Sequence, residues 1–62
     1  MSEWLKLSLT TGLPAWVKKS DVTAVKQEDS HAKVFFNLHG QYFEVTEKAF
    51  DIMNRVFTER LN

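Results

Sequence analysis

Residues Lys33 to Thr46 read KVFFNLHGQYFEVT, and the reading of this stretch decides the fold. Two runs of strand-forming residues flank His39-Gly40. A dipeptide of that form suits a two-residue hairpin turn, with the glycine supplying a positive φ. Such a loop sets a register in which Leu38 faces Gln41, Phe36 faces Phe43 and Val34 faces Val45. Side chains alternate across a strand, so Val34, Phe36, Leu38, Phe43 and Val45 share one face. Lys33, Phe35, Asn37, Tyr42, Glu44 and Thr46 share the other. The first face is apolar and the second mixed, so the first is the expected core side.

Working outward, Trp4 to Leu9 reads WLKLSL. Leu5, Leu7 and Leu9 point one way, and Trp4, Lys6 and Ser8 the other, as in a half-buried strand. Thr10-Thr11-Gly12 breaks it. Pro14 cannot donate to a ladder and belongs at a strand start or on an edge. Ala15 to Lys18 reads as a short strand or extended arm, and Lys19-Ser20-Asp21 as a turn. VTAVKQ, from Val22, is a third strand in which Val22 and Val25 do not alternate. A tight turn before this strand would bury both. Glu28 to His31 is a polar loop.

After the hairpin, Thr46 has the chemistry of a helix N-cap, and Glu47 suits the positive end of the helix dipole. Val45 and Phe50 have the spacing of a hydrophobic staple. Ala49, Phe50, Met53, Val56, Phe57 and Leu61 form the expected helical stripe, with Ile52 at its flank and partly exposed. The expected layout is a single domain over 1–62, with strands at about 3–9, 15–18, 22–27, 32–38 and 41–45 and a helix at about 47–60. This is an α+β fold: a small four- to five-stranded antiparallel sheet, curved or partly barrel-like, with one C-terminal helix packed on it.

Composition narrows the function. Eight basic residues balance eight acidic ones among 62, so the chain lacks the overall positive field that favours phosphate backbones or anionic membranes. A chain this short buries only about 60% of its unfolded surface, and small scaffolds usually need a staple, a metal or a partner. Cysteine is absent, and the two histidines cannot alone close a zinc site. Oligomerisation is the expected supplement. No apolar run approaches the roughly 18 residues of a membrane span, and the N-terminal segment alternates instead of forming a leader-like block. The expected location is cytoplasmic, with no membrane partner.

The stretches WLKLSLTTG, AWVKKSDVTAV and VFFNLHGQYFEVTEKAFDIMNRVF are similar to small bacterial proteins of the FlbD-like flagellar family. There a short strand set ends in a G-x-x-Y-x-V-x-E hairpin and a single helix. Gly40, Phe43, Val45 and Glu47 fill comparable places, with Tyr42 one position early. The DVTAV and G-x-x-F-x-V elements also resemble part of the longer, more basic LytTR-type DNA-binding domains. The first resemblance implies a small antiparallel sheet with a packed helix and supplies no catalytic residues.

No residues present the pattern of a catalytic, cofactor or metal site. His31 and His39 are the only side chains with an ordinary pKa near neutrality, and they lie in a loop and a turn without a ligand motif. Asp29-Ser30-His31 has the residue types of a hydrolytic triad, but adjacent residues cannot adopt triad geometry. The chain is also too small to be expected to enclose a ligand pocket of ~300 Å³. A non-enzymatic protein without a small-molecule substrate is expected. The aromatics Trp4, Trp16, Phe35 and Tyr42 form the candidate interaction surface, for a second copy in a homodimer or for another protein. They equally suit covering the back of the sheet. Lys6, Lys18, Lys26 and Lys33 are candidate nucleic-acid contacts, since interleaved lysine and aromatic residues suit single strands. Lysine on exposed strands is also ordinary edge protection, and nucleic acid is the less favoured partner.

Overall fold

The computed structural model describes residues 3–37 and 39–60. Five antiparallel strands precede one helix: β1 (Trp4–Ser8), β2 (Pro14–Lys18), β3 (Val22–Gln27), β4 (Ala32–Phe36), β5 (Gln41–Val45) and α1 (Ala49–Arg60). The fold class is α+β. The strands do not make the single sheet expected. β1 and β2 form one sheet, and β3, β4 and β5 form another in that order. A bridge between Leu9 and Val45 joins them, flanked by hydrogen bonds from the Thr10 amide to the Glu44 carbonyl (3.0 Å) and from the Thr46 amide to the Ser8 carbonyl (2.8 Å).

The strands do not close into a barrel, because β1 leaves β5 beyond this bridge. Side chains from the C-terminal segment then satisfy the backbone of β1. The Ser8 amide donates to both carboxylate oxygens of Glu47, at 3.0 and 2.9 Å. The Lys6 carbonyl accepts from the Arg55 guanidinium at 3.5 Å. Unpaired strand groups are a template for aggregation, and on β1 the Ser8 amide and Lys6 carbonyl are covered. Glu47 therefore caps a strand and lies two residues before the helix start, where the sequence placed it inside the first turn.

The β4–β5 hairpin differs from the expected one. Phe36 pairs with Gln41, Val34 with Phe43 and Ala32 with Val45, so four residues, 37–40, make the loop. Asn37 takes the left-handed conformation (φ 59°) beside Gly40 (φ 78°). Asparagine tolerates that region because its side chain bonds locally. Here its Oδ1 accepts from the His39 amide at 2.8 Å, and its Nδ2 donates to the Gln41 side chain at 2.7 Å. The resulting slip is two residues, an even number, so every strand residue keeps its expected face.

β3 contains a second departure. The register shifts between Val22, opposite Phe36, and Ala24, opposite Phe35. This bulge at Thr23 resolves the three-residue spacing of Val22 and Val25, both of which pack against the core. The Thr23 hydroxyl donates to the Phe35 and Asn37 carbonyls, at 3.3 and 3.4 Å. A 3-10 turn over Lys19–Asp21 precedes the strand, but the bulge does the work that was assigned to a turn.

The helix begins at Ala49, later than expected, and is rotated. Ile52 is completely buried and Phe50 is 74% exposed, the reverse of the expectation, so the Val45–Phe50 staple does not form. The core stripe is Ala49, Ile52, Met53 and Val56, at i, i+3, i+4 and i+7. Thr46 is not the N-cap, since it pairs with Ser8. The first helical amide, of Ala49, instead donates to the Gln27 side-chain oxygen at 2.9 Å. The Gln27 amide group donates in turn to the Glu28 and His31 carbonyls, at 2.8 and 3.0 Å. One glutamine thus ties the end of β3, the β3–β4 turn and the helix start. Leu5, Leu7, Val17, Ala32, Val34, Val45, Ile52 and Val56 form the core. The expectations for Leu38, for the Phe57 side chain and for Leu61 lie outside the described residues.

Candidate interaction face

β1 and β2 alternate cleanly, with Leu5, Leu7, Ala15 and Val17 inward and Trp4, Lys6, Ser8, Pro14, Trp16 and Lys18 outward. The register sets Trp4 opposite Lys18 and Lys6 opposite Trp16. The Lys19 amide donates to the Glu3 carbonyl and the Leu9 amide to the Leu13 carbonyl. Alternation from these bonds makes the Trp4–Lys18 and Lys6–Trp16 pairs the non-hydrogen-bonded ones, whose side chains stand closest. Each ammonium accordingly lies over the indole across from it, both at 5.9 Å from the ring centroid. Such cation–π contacts contribute about 0.5–1 kcal/mol at exposed sites. Trp4 and Trp16 nonetheless remain 51% and 54% exposed.

The second candidate group sits on the outer face of β4 and β5. Phe35 and Tyr42 are directly opposite, with ring centroids 5.2 Å apart and planes tilted by 51°. The Lys33 ammonium lies 4.9 Å from the Tyr42 ring, and Lys33 also faces Glu44 in the register. Phe35 is half-buried and Tyr42 is 43% exposed. Lys26 stands opposite Lys33 but reaches Glu28, at 3.4 Å. The structure therefore gathers Trp4, Lys6, Trp16 and Lys18 on one sheet. It gathers Phe35, Tyr42 and Lys33 on the other, and ties Lys26 to an acidic partner.

Tyr42 and Glu44 also line an open depression of about 250 Å³ with Leu9, Thr10 and Thr11, at the junction of the sheets. His31 is not the solvated loop residue expected. It is partly buried, with its Nε2 3.1 Å from a Glu44 carboxylate oxygen. His39 is exposed in its turn. Among the described residues no three histidine, aspartate or glutamate side chains are grouped to hold a metal ion. No helix among them is long and apolar enough to cross a membrane.

Two further exposed apolar residues escaped the sequence reading. Leu13 is 64% exposed in the β1–β2 loop, and its place between Gly12 and Pro14, off the strand alternation, was a usable signal. Phe50 gave none, since helical periodicity accommodates it equally well inward. The molecule is thus a small α+β domain that carries lysine-stacked indoles on the outside of its first hairpin. No family model, curated protein or solved structure matches the chain.

Proposed function

We propose that this chain is a cytoplasmic, non-enzymatic interaction module that self-associates or docks on a larger protein through the outer face of β1 and β2. The observation that carries the reading is the pair of half-exposed indoles, Trp4 and Trp16, set side by side on a rigid two-stranded surface. Tryptophan is enriched among residues that dominate binding energy, and its burial removes a large apolar area from water. Backing by Leu5, Leu7 and Val17 holds the face in one geometry, which lowers the ordering cost of binding. The FlbD-like resemblance belongs to the same reading, since it implies a strand set followed by a single helix. Sedimentation or light scattering at tens of micromolar tests self-association. A mass above 7.2 kDa is expected, and capture of a partner by the wild type but not by Trp16→Ala would identify the docking alternative.

A nucleic-acid-binding accessory role is the second reading. It is supported by Lys6, Lys18 and Lys33, which stack on aromatic rings and have no ion pair among the described residues. Stacking plus local positive charge is the chemistry of single-strand binding. Fluorescence anisotropy with oligothymidine decides between them. Micromolar binding that weakens steeply with salt would favour nucleic acid, and absence of binding at physiological salt favours the protein partner.

A further inference from the structure

We infer that the chain self-associates by antiparallel pairing of the β2 edge with the β2 edge of a second copy, Trp16 opposite Lys18. The inference rests on the self-association reading and specifies its surface. β2 has one hydrogen-bonded neighbour, β1. The Leu9–Leu13 and Lys19–Glu3 bonds define the ladder's phase. They turn the Trp16 and Lys18 backbone groups away from β1, toward the open edge. The other edges are each interrupted, β5 by the bonds of its Glu44 carbonyl to Thr10 and of the Thr46 amide to Ser8. β1 is covered by Glu47 and Arg55. β3 is interrupted by its bulge, a common means of discouraging edge pairing.

The register follows from chemistry and symmetry. A two-fold axis through Val17 pairs Trp16 of each copy with Lys18 of the other. Each such pair exchanges two backbone hydrogen bonds, and Pro14, which has no donor, is left out of the ladder. The outer face then reads Trp4, Lys18, Trp16, Lys6 across the four strands. In that row every ammonium has an indole beside it and no two lysines are directly opposite. Moving the axis to Lys18 would oppose lysine to lysine, and moving it to Trp16 would match Lys18 with the donorless Pro14. The arrangement is isologous and closes at two copies.

Lys18 allows a clean test. Its φ is −69°, the value a proline ring imposes, and its amide takes no part in the β1–β2 ladder. Lys18→Pro thus removes an edge donor while leaving the protomer's own backbone hydrogen bonds intact, at the loss of the ammonium over Trp4. Lys18→Ala keeps the donor and removes the ammonium. Sedimentation equilibrium on wild type should show twice 7.2 kDa at high concentration. Lys18→Pro should weaken the dimer by on the order of ten-fold or more, and Lys18→Ala by only about three- to five-fold. Circular dichroism verifies that both variants are folded. Amide hydrogen exchange on the wild type gives an answer that needs no variant. The Trp16 and Lys18 amides should slow with rising concentration, while the Val17 amide, bonded to β1, stays protected throughout. A dimer indifferent to Lys18→Pro, or one whose Trp16 and Lys18 amides exchange freely, overturns this edge and leaves self-association standing. A wild type that stays monomeric to hundreds of micromolar overturns both.

Discussion

The two outer sheet surfaces of this small protein are built from the same residue types and arranged in opposite ways. On β4 and β5, aromatic faces aromatic (Phe35 and Tyr42) and lysine faces glutamate (Lys33 and Glu44). There the two rings meet each other, the Lys33 ammonium lies over Tyr42 and the Glu44 carboxylate meets His31. On β1 and β2 each aromatic faces a lysine, no acidic residue points outward from either strand, and both indoles stay about half exposed. On the proposed reading, the contrast separates a surface that stabilises the sheet from one that receives a partner. Aromatic residues alone do not mark an interface. What distinguishes the first hairpin is a lysine across from each indole, with no acidic residue opposite it, next to an unpaired strand edge.

The largest expected effect concerns what supports both surfaces. Ile52 is fully buried against the sheets, and Ile52→Ala should cost about 2–5 kcal/mol, measured by denaturant unfolding. Loss of that much stability approaches the whole of what a domain this small possesses. A variant with near-wild-type stability would mean that the helix stripe is not Ala49, Ile52, Met53 and Val56.

Next in size is the seam between the sheets. Glu47→Ala leaves the Ser8 amide without its acceptor and should cost about 1–3 kcal/mol, because a charged hydrogen bond is lost at a strand edge. Gln27→Ala removes the oxygen that receives the Ala49 amide and should cost about 1 kcal/mol, in the range of other helix caps. Both losses are readable as shifts in thermal midpoint.

These expectations mark where the sequence was informative. Leucine alternation in β1 placed Trp4 and Lys6 outward, and the structure has them there, whereas the short run over 15–18 left the face of Trp16 unassigned until the pairing with β1 set it. The outward placement of Phe35 and Tyr42 survived a wrong register, because a slip of two residues preserves side-chain faces. The loop itself was misread. Glycine after histidine looked like the whole turn, whereas Asn37 also entered the left-handed region through bonds made by its own side chain. The helix rotation was illegible for a different reason. Apolar residues occupy more than one stripe, at roughly 100° per residue, so periodicity permits either Phe50 or Ile52 inside. A long-range bond from Gln27, 22 residues away, pins the first turn, and local pattern contains no trace of it. The pairing of each lysine with an indole likewise required the register of two strands to be known at once.

The smallest effects sharpen the contrast between the surfaces. Phe50→Ala, at a 74% exposed position, should change stability by no more than about 0.5 kcal/mol. Trp16→Ala should leave the fold intact and weaken association. Tyr42→Ala should do the reverse, costing about 0.5–1.5 kcal/mol through its contact with Phe35 while leaving association unchanged. If Tyr42→Ala lowers the solution mass as much as Trp16→Ala does, the two surfaces act together and their division into structural and binding roles fails.

Intrinsic fluorescence offers the most direct examination of the first hairpin, because both tryptophans of the chain lie on its outer face. Emission and acrylamide quenching therefore report this surface alone. Recorded from sub-micromolar to hundreds of micromolar, alongside mass by light scattering, the emission should shift to the blue and quenching should fall as the mass rises above 7.2 kDa. A rise in mass with unchanged emission and quenching would put the contact elsewhere on the molecule and contradict the assignment of β1 and β2 as the binding surface.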